Sequence, residues 1–568
     1  MKQPKLVSAT QAELDELLAL AKAASFPQDK YRLLEGVLGT FVYVMQVLQN
    51  TKSSLRRFRR MLFGPHTENK RNVLKENTGN DAGNDNQADA APGDQGVVPA
   101  QDRPSELEGK RPGHGRNGVQ AYGGATVVPV EHPSLKSGDQ CPECPTGKVY
   151  AHEPREFVQV VGQPPLAATI YQIERLRCRL CDAIFSAPMP EEVGPQKYDE
   201  SAASMIAMLR YGSGMPFFRL EGLQASLRVP LPDATQWDIV GKAVKGPRSV
   251  YEELIRQAAQ AEVLHNDDTP ARILALMAER TKAEARGEEP EAKAINTSGI
   301  VALLQERKVV LFFTGHRHAG QNLAEVLAHR ASELEVPIQM CDGLSSNITK
   351  QFKTILCNCL LHGRRKFVEV VDNFPEPCRH VIEVLAQVYK HDARCRDQKM
   401  SPEQRLVYHQ ANSGSLMRAL ETWMKEQLEQ RQVEPNSGLG GAMNYMIKHW
   451  QELTLFLRQA GAPLDNNICE RALKKAILHR KNSLFYRTQN GAEVGDIYMS
   501  LIYTCQMCGA NPFEYLQALQ THVDEVKKSA HEWLPWNYHQ SLADTFLAVA
   551  TRPGTAAPLG PRVRAPGV

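Results

Sequence analysis

Between residues 261 and 363, apolar runs alternate with polar breaks in an order that few folds can use. Ala261–Asn266 reads as a short strand ending at Asp267. Ile300–Leu304 and Lys308–Phe313 read as two strands of a hairpin, Asn322–Arg330 as a helix, and Val336–Cys341 as a strand ending at Asp342. Ser346–Lys353 reads as a short helix, Ile355–Leu361 as another strand, and a helix follows from Arg364. Three strands, helix, strand, helix, strand is the element order of an RNase H-like α/β domain. The first and fourth strands can be neighbours in such a sheet, so Asp267 and Asp342 would face one another.

Two carboxylates a few ångströms apart repel, and a divalent cation removes that penalty. Mg²⁺ suits such a site because it takes a few carboxylate oxygens and fills its other positions with water and phosphate. Two such ions could activate a water or a 3′-hydroxyl and stabilise the leaving oxygen. Each aspartate alone reads equally as a helix N-cap, and Asp268-Thr-Pro270 would itself make a turn. A third carboxylate comes later. Pro463–Lys475 opens a helix with Asp465 or Asn466 as cap, and Glu470 lies on its first turns, followed by Arg471, Lys474 and Lys475. A carboxylate among cations on a helix also reads as a surface ion pair.

Upstream, Cys141-Pro-Glu-Cys144 and Cys178-Arg-Leu-Cys181 are CxxC pairs separated by 33 residues. Four thiolates on two tight turns suit a structural, tetrahedral Zn²⁺. Phe157, Val158, Val160, Val161, Ile170, Ile173 and Leu176 alternate as strands do, so 121–194 reads as a zinc-ribbon-like domain. Four ordinary buried cysteines are the plainer alternative. A redox role is weaker, because redox pairs occur singly in a thioredoxin-like βαβ unit. Cys505 and Cys508 lie in an apolar helical run and read as core.

Leu34, Phe41, Leu48, Leu55 and Leu62 recur every seven residues, with Val37, Val44 and Phe58 between them. Residues 1–74 therefore read as a helical leader, either a coiled coil joining two chains or a helix packed internally. It ends in Arg56, Arg57, Arg59 and Arg60, a solvated face or a phosphate-contacting patch. Residues 75–120 read as a disordered linker, because 75–106 hold no aromatic residue and almost no aliphatic one. Residues 195–258 read as short helices broken by Gly214, Pro216 and Pro230, a helix-turn-helix-like unit or a plain bundle. Residues 259–370 hold the core described above, and 531–568 read as a tail.

At 568 residues the chain is too long for one ordinary core. Its net charge of +3 neither supports nor excludes a nucleic-acid partner, because a basic face can be balanced elsewhere. No apolar run approaches the roughly 20 residues that span a bilayer, and the first residues show no secretory h-region. The twelve cysteines are therefore read in a reducing cytoplasm.

Leu264-His-Asn-Asp-Asp-Thr-Pro270 resembles the first-aspartate motif of the IS66 family of bacterial insertion-sequence transposases, whose usual form has Glu where Asp268 stands. Cys341-Asp-Gly343 is similar to the second-aspartate motif, and Cys359-Leu-Leu-His-Gly-Arg-Arg-Lys-Phe367 to the family's Cys-x-x-His-x-Arg-Arg-Lys-Phe run. Asn466-Asn-Ile-Cys-Glu-Arg471 resembles the motif with the catalytic Glu, continued by Arg480-Lys-Asn-Ser-Leu-Phe485 and Gly491-Ala492. Residues 57–69 are similar to the family's leader, although Gly64-Pro-His-Thr-Glu-Asn69 departs from its Gly-Arg-x-Ser-Glu-Lys form.

The resemblance implies an RNase H-like DDE catalytic domain with Asp267, Asp342 and Glu470 holding Mg²⁺ or Mn²⁺. It implies a helical insertion at 371–462, for which the 128 positions from Asp342 to Glu470 leave room, and a second core segment at 463–530. Transposon ends and target, both double-stranded DNA, would meet Arg364, Arg365, Lys366, Arg471, Lys474, Arg480 and Lys481. The likeness suggests accessory proteins of the same element; the heptads suggest a homodimer or larger assembly, and a cytoplasmic protein found at the nucleoid when bound to DNA is expected. Cys359 and His362 have metal-ligand spacing but no evident second pair, so a structural role at a strand-to-helix turn is expected. Trp423 and Trp450 read as core, with base stacking as the alternative. A metal-dependent nuclease without strand transfer, and an inactive DNA-binding derivative, are the competing functions.

Overall fold

The structure, a computed structural model, describes residues 119–550 apart from short stretches between 122 and 195, residues 288–293 and residue 306; side chains are described as far as Thr545, and Leu34 is described before them. The leader heptads beyond Leu34, Arg56, Arg57, Arg59 and Arg60, the linker up to 118, the tail beyond 550, and Cys144, Cys178 and Cys181 lie outside the described residues. Among the described residues no helix is long and apolar enough to cross a membrane.

The chain forms two units, one spanning 78–165 and one holding the rest. In the first, Gln140 bridges Lys148 antiparallel and the Cys141 N–H meets the Gly147 carbonyl at 2.8 Å, so the chain doubles back around the first CxxC segment. In the second, β1 (Arg175–Arg177) pairs antiparallel with β2 (Ile184–Ser186), and the second CxxC pair lies between them in sequence. The alternation around Ile170 and Ile173 makes no strand, and Ile170 stands exposed.

Helices lead into the sheet. Asp199 caps α1 (Glu200–Ala207), accepting the Ala202 N–H at 2.9 Å, and α1 runs into a π turn at Met208–Gly212. Gly214, at φ +70, and Pro216 then break the chain before α2 (Phe217–Ser226). α3 (Asp233–Ala243) and α4 (Lys245–Ala259) follow. α4 buries Val250, Leu254 and Ala258, and its Tyr251 hydroxyl bonds the Phe312 carbonyl at 2.9 Å.

The main elements are β3 (Val263–Pro270), α5 (Leu274–Ala285), β4 (Asn296–Leu304), β5 (Arg307–Gly315), α6 (Ala319–Leu327), β6 (Ile338–Cys341), β7 (Ile355–Asn358) and α7 (Leu360–Val370). They make a mixed five-stranded sheet in the order β5-β4-β3-β6-β7. β3, β4 and β5 pair antiparallel, while β3, β6 and β7 pair parallel. The first and fourth strands of this core are indeed neighbours. β3 continues past Asp267 to Pro270, so Asp267 lies within the strand rather than at its end.

The expected helix at Ser346–Lys353 is absent. The Asn347 carbonyl, which a helix would use internally, instead accepts the Asn266 amide at 2.6 Å and the Gln339 amide at 2.7 Å. Those side-chain donors lie buried and leave the loop tied to the sheet.

A helical segment does stand between α7 and the Glu470 helix: α8 (Pro375–Asp397), α9 (Pro402–Asn412), α10 (Gly414–Glu429), α11 (Gly438–Lys448) and α12 (Trp450–Leu453). It packs Leu385, Met417, Met424 and Met443 with Phe367 of α7 into a second core. Trp450 is buried there, and Trp423 packs against the same core half-buried.

Last come α13 (Asn467–Ser483), α14 (Gln489–Cys508), α15 (Pro512–Thr521), α16 (Val523–Lys528) and α17 (Tyr538–Ala550). α14 seals the open edge of β5. Thr504, Ser500 and Asp496, one turn apart, accept the backbone N–H groups of Val310 (3.0 Å), Phe312 (2.9 Å) and Thr314 (2.6 Å). Unpaired edge groups are thereby satisfied without another strand. Cys505 is buried in this helix, as expected of core.

Candidate active site

The pleat of β3 separates two adjacent aspartates. Successive side chains on a strand point to opposite faces. Asp268 turns toward α6, where it accepts the Ser298 hydroxyl at 2.6 Å and the Ala319 N–H at 3.0 Å, with His318 Nδ1 at 3.1 Å. It therefore caps the α6 N-terminus from a distance. Asp267 and His265 share the other face, against α13.

Asp342 follows β6 directly. Its carboxylate accepts the Leu344 N–H at 2.9 Å across Gly343, which adopts φ +82. A side chain there would be strained and would place a Cβ 3.0 Å from the Asn358 amide. The Asn347 amide nitrogen joins the two aspartates, 2.9 Å from Asp342 Oδ1 and 3.3 Å from Asp267 Oδ1. Tyr445, from α11 of the helical segment, donates to the Asp342 carbonyl at 3.2 Å.

Glu470 is set by the start of α13. Asn466 is the N-cap residue, but its side chain does not cap. It is fully buried, with Oδ1 3.0 Å from His265 Nδ1 and Nδ2 donating to the Asn266 carbonyl at 3.1 Å. Its carbonyl accepts the Glu470 N–H at 3.0 Å. Asn466 thus ties the first turn of α13 to β3. α13 can lie close because residue 299, opposite Asp267 on β4, is glycine; a Cβ there would sit 3.0 Å from Leu473. Asn466→Ala should leave His265 and the Asn266 carbonyl unpaired. The expected loss is about 1–3 kcal/mol, read as a lowered denaturant midpoint.

The electrostatics single out Asp267. Burial pushes its carboxyl up to about 7, and the charges of Asp342, Glu470 and Asp268 add to the rise. Three carboxylates therefore act on one buried point. Behind Glu470 lie Cys359 and His362; one ligand atom from each of the three falls within 4.8 Å of the others. His362 Nε2 is 3.9 Å from Glu470 Oε1, and Glu470 Oε1 and His362 Nδ1 are buried without hydrogen-bond partners. Burial holds His362 below its ordinary value and pushes the Cys359 thiol up to about 12. The Cys359–His362 spacing thus finds its third member in Glu470, more than a hundred residues away in sequence.

Of the expected DNA-contacting residues, Arg471, Lys474 and Lys481 stand exposed along one side of α13. Arg480 turns inward and donates to the Thr269 hydroxyl at 3.2 Å and to the Pro270 carbonyl. Lys366 lies 5.4 Å from the Tyr445 ring centre, and Arg364 and Arg365 are half-buried beside it in α7. Sequence reasoning missed Asn347, Tyr445 and the anchoring role of Asn466.

A mixed sheet thus brings acidic side chains together, and beside them Cys359, His362 and Glu470 form a small cluster able to coordinate a metal ion, as a metal-dependent site would. The transposase IS66 family model matches residues 196–494, more than half of the 568 residues, and the chain belongs to that family of DDE-type transposases. It is similar to three proteins of Sinorhizobium fredii (strain NBRC 101917 / NGR234). The uncharacterized protein y4hP is 25% identical over 66% of this chain and 69% of its own length. The uncharacterized protein y4jD is 26% identical over 64% and 71%, and y4qI is 23% identical over 60% and 62%. No solved structure matches.

Proposed function

We propose that Asp267, Asp342 and Glu470 form the DDE triad of this transposase and hold Mg²⁺ or Mn²⁺ on an RNase H-like sheet. The observation that carries this reading is the Asn347 amide seated between Asp267 and Asp342, with Glu470 raising the same Asp267 carboxyl. The donor set fits a hard cation: carboxylate oxygens, one of them buried and unpartnered, around a carboxyl whose charged form burial disfavours. Bound there, the cation supplies an activated oxygen nucleophile and stabilises the leaving oxygen of a phosphodiester. The chain itself orients the carboxylates through Asn347, Asn466 and the Gly343 turn. Arg471, Lys474 and Lys481, with Arg364, Arg365 and Lys366, supply positive charge for DNA phosphates, transposon ends first and target second. The arginine run Arg56, Arg57, Arg59 and Arg60 and the heptads before it support, from the sequence alone, further phosphate contacts and pairing of two chains.

Pre-cleaved transposon ends with a free 3′-hydroxyl separate transposition from simple nuclease action. Joining to a target plasmid in Mg²⁺ is the expected result; cleavage of intact ends without joining would leave a nuclease. The spacing of Cys141, Cys144, Cys178 and Cys181 supports a structural zinc. Metal analysis should find about one zinc per chain in that site, lost when Cys141 and Cys178 are both changed to Ser. Full retention in the double variant would reject it.

A further inference from the structure

Two side chains beside the acidic cluster, Cys359 and His362, meet its Glu470 and bring a chemistry that carboxylates alone do not have. Cys359 is the N-cap residue of α7 and His362 lies one turn on, so both face the same side. Glu470 reaches them from α13, and the three ligand atoms lie within 4.8 Å of one another. Around a tetrahedral zinc, bonds of roughly 2.0–2.3 Å put ligand atoms about 3.3–3.7 Å apart. The His362–Glu470 separation of 3.9 Å is close to that edge, so small side-chain rotations close the set. The outer shell is also in place: the Asn466 backbone N–H points at Cys359 Sγ from 3.3 Å, as N–H donors do toward metal-bound sulfur.

We propose that Cys359, His362 and Glu470 form a second cation site, selective for a thiophilic divalent ion of the Zn²⁺ class, which shares Glu470 with the acidic cluster. Sulfur and imidazole favour such an ion, whereas Mg²⁺ favours oxygen alone. Binding releases the Cys359 thiol proton to solvent, leaves a fourth position open, and draws Glu470 away from Asp267 and Asp342. The two sites then exclude one another, and a thiophilic ion inhibits the Mg²⁺-supported reaction. The binding stands on the three side chains alone; the inhibition rests on Glu470 serving the proposed triad.

The full-length protein is titrated with Co²⁺, and the thiolate-to-cobalt charge-transfer band is compared between wild type, Cys359→Ser and His362→Gln. The four paired cysteines are intact in all three and cancel in the difference. His362→Gln serves as the second variant because Cys359 also accepts the Asn466 N–H. The band from this site should be lost in Cys359→Ser and weakened at least about tenfold in affinity in His362→Gln. In a parallel assay at fixed Mg²⁺, Zn²⁺ should inhibit end cleavage by wild type, and His362→Gln should need at least about tenfold more Zn²⁺. Identical cobalt spectra in all three proteins would overturn the site. A cobalt signal at this site with equal Zn²⁺ sensitivity in wild type and His362→Gln would overturn the competition, whereas failure of Glu470→Gln to affect Mg²⁺-supported cleavage would count against the triad and leave the cobalt site standing.

Discussion

Asp267→Asn, Asp342→Asn and Glu470→Gln should each lower end cleavage and strand transfer by about three orders of magnitude or more, since losing one metal-holding charge removes several kcal/mol of transition-state stabilisation. Each change keeps the shape of the side chain, so folding and end binding should persist, the latter resting on cationic contacts to phosphate. Asp268→Asn is the control that gives the result its meaning. Asp268 is occupied by Ser298, His318 and the α6 N-terminus on the far face of β3, so its loss should cost about 1 kcal/mol of stability and spare most of the activity. Band-shift and strand-transfer assays on the same preparations separate binding from chemistry. Equal inactivation by Asp268→Asn would place the wrong aspartate in the site.

Asp267→Asn should also make the metal-free protein more stable above neutral pH. Burial lifts the Asp267 carboxyl to about 7, well above an unfolded value near 4. Such a group holds its proton more tightly in the folded state. Its contribution is therefore fully present below about pH 4 and is lost as pH rises toward 7. At pH 8 the folded chain carries a buried, repelled carboxylate, and Asn removes it. The expected gain, discounted for partial solvent screening, is roughly 1–3 kcal/mol, or a few degrees in melting temperature. Asp496 on α14 is likewise pushed up to about 7 by burial, against the bonds from Thr314, and loses stability over the same window. Mg²⁺ separates the two: it should recover the Asp267 share in wild type, give nothing in Asp267→Asn, and leave the Asp496 share untouched. An Asp267→Asn protein that melts below wild type at pH 8 without metal would mean that the carboxylate is not strained there.

The candidate site side chains Asp267, Asp342 and Glu470 were more legible in the sequence than the residues that position them. A central strand usually reads as an apolar run. β3 instead carries His265-Asn-Asp-Asp-Thr269 in its middle, and a polar run of that kind marks a site that local folding rules do not explain. The same polarity made the strand look as if it ended at Asp267, because alternation cannot show that Asp268 and Thr269 find partners on neighbouring elements. Asn347 sits in a stretch with helical character, and only the amides of Asn266 and Gln339, distant in sequence, take its carbonyl out of a helix. Asn466 looked like a cap because caps are local. Its bond to His265 spans two hundred residues, and no spacing rule reaches that far. α5 escaped notice for a different reason: none of its twelve residues is buried, so no apolar face announces it. The Cys359–His362 pair seemed incomplete because its third member lies beyond the whole helical segment.

The most direct test is a crystal of the protein with transposon-end DNA grown in Mn²⁺ and measured at the manganese absorption edge. An anomalous peak between the Asp267 and Asp342 carboxylates, with Glu470 within coordinating reach, is the result expected here. A peak coordinated by Asp268, or Glu470 turned away from the ion while DNA is engaged, would contradict it.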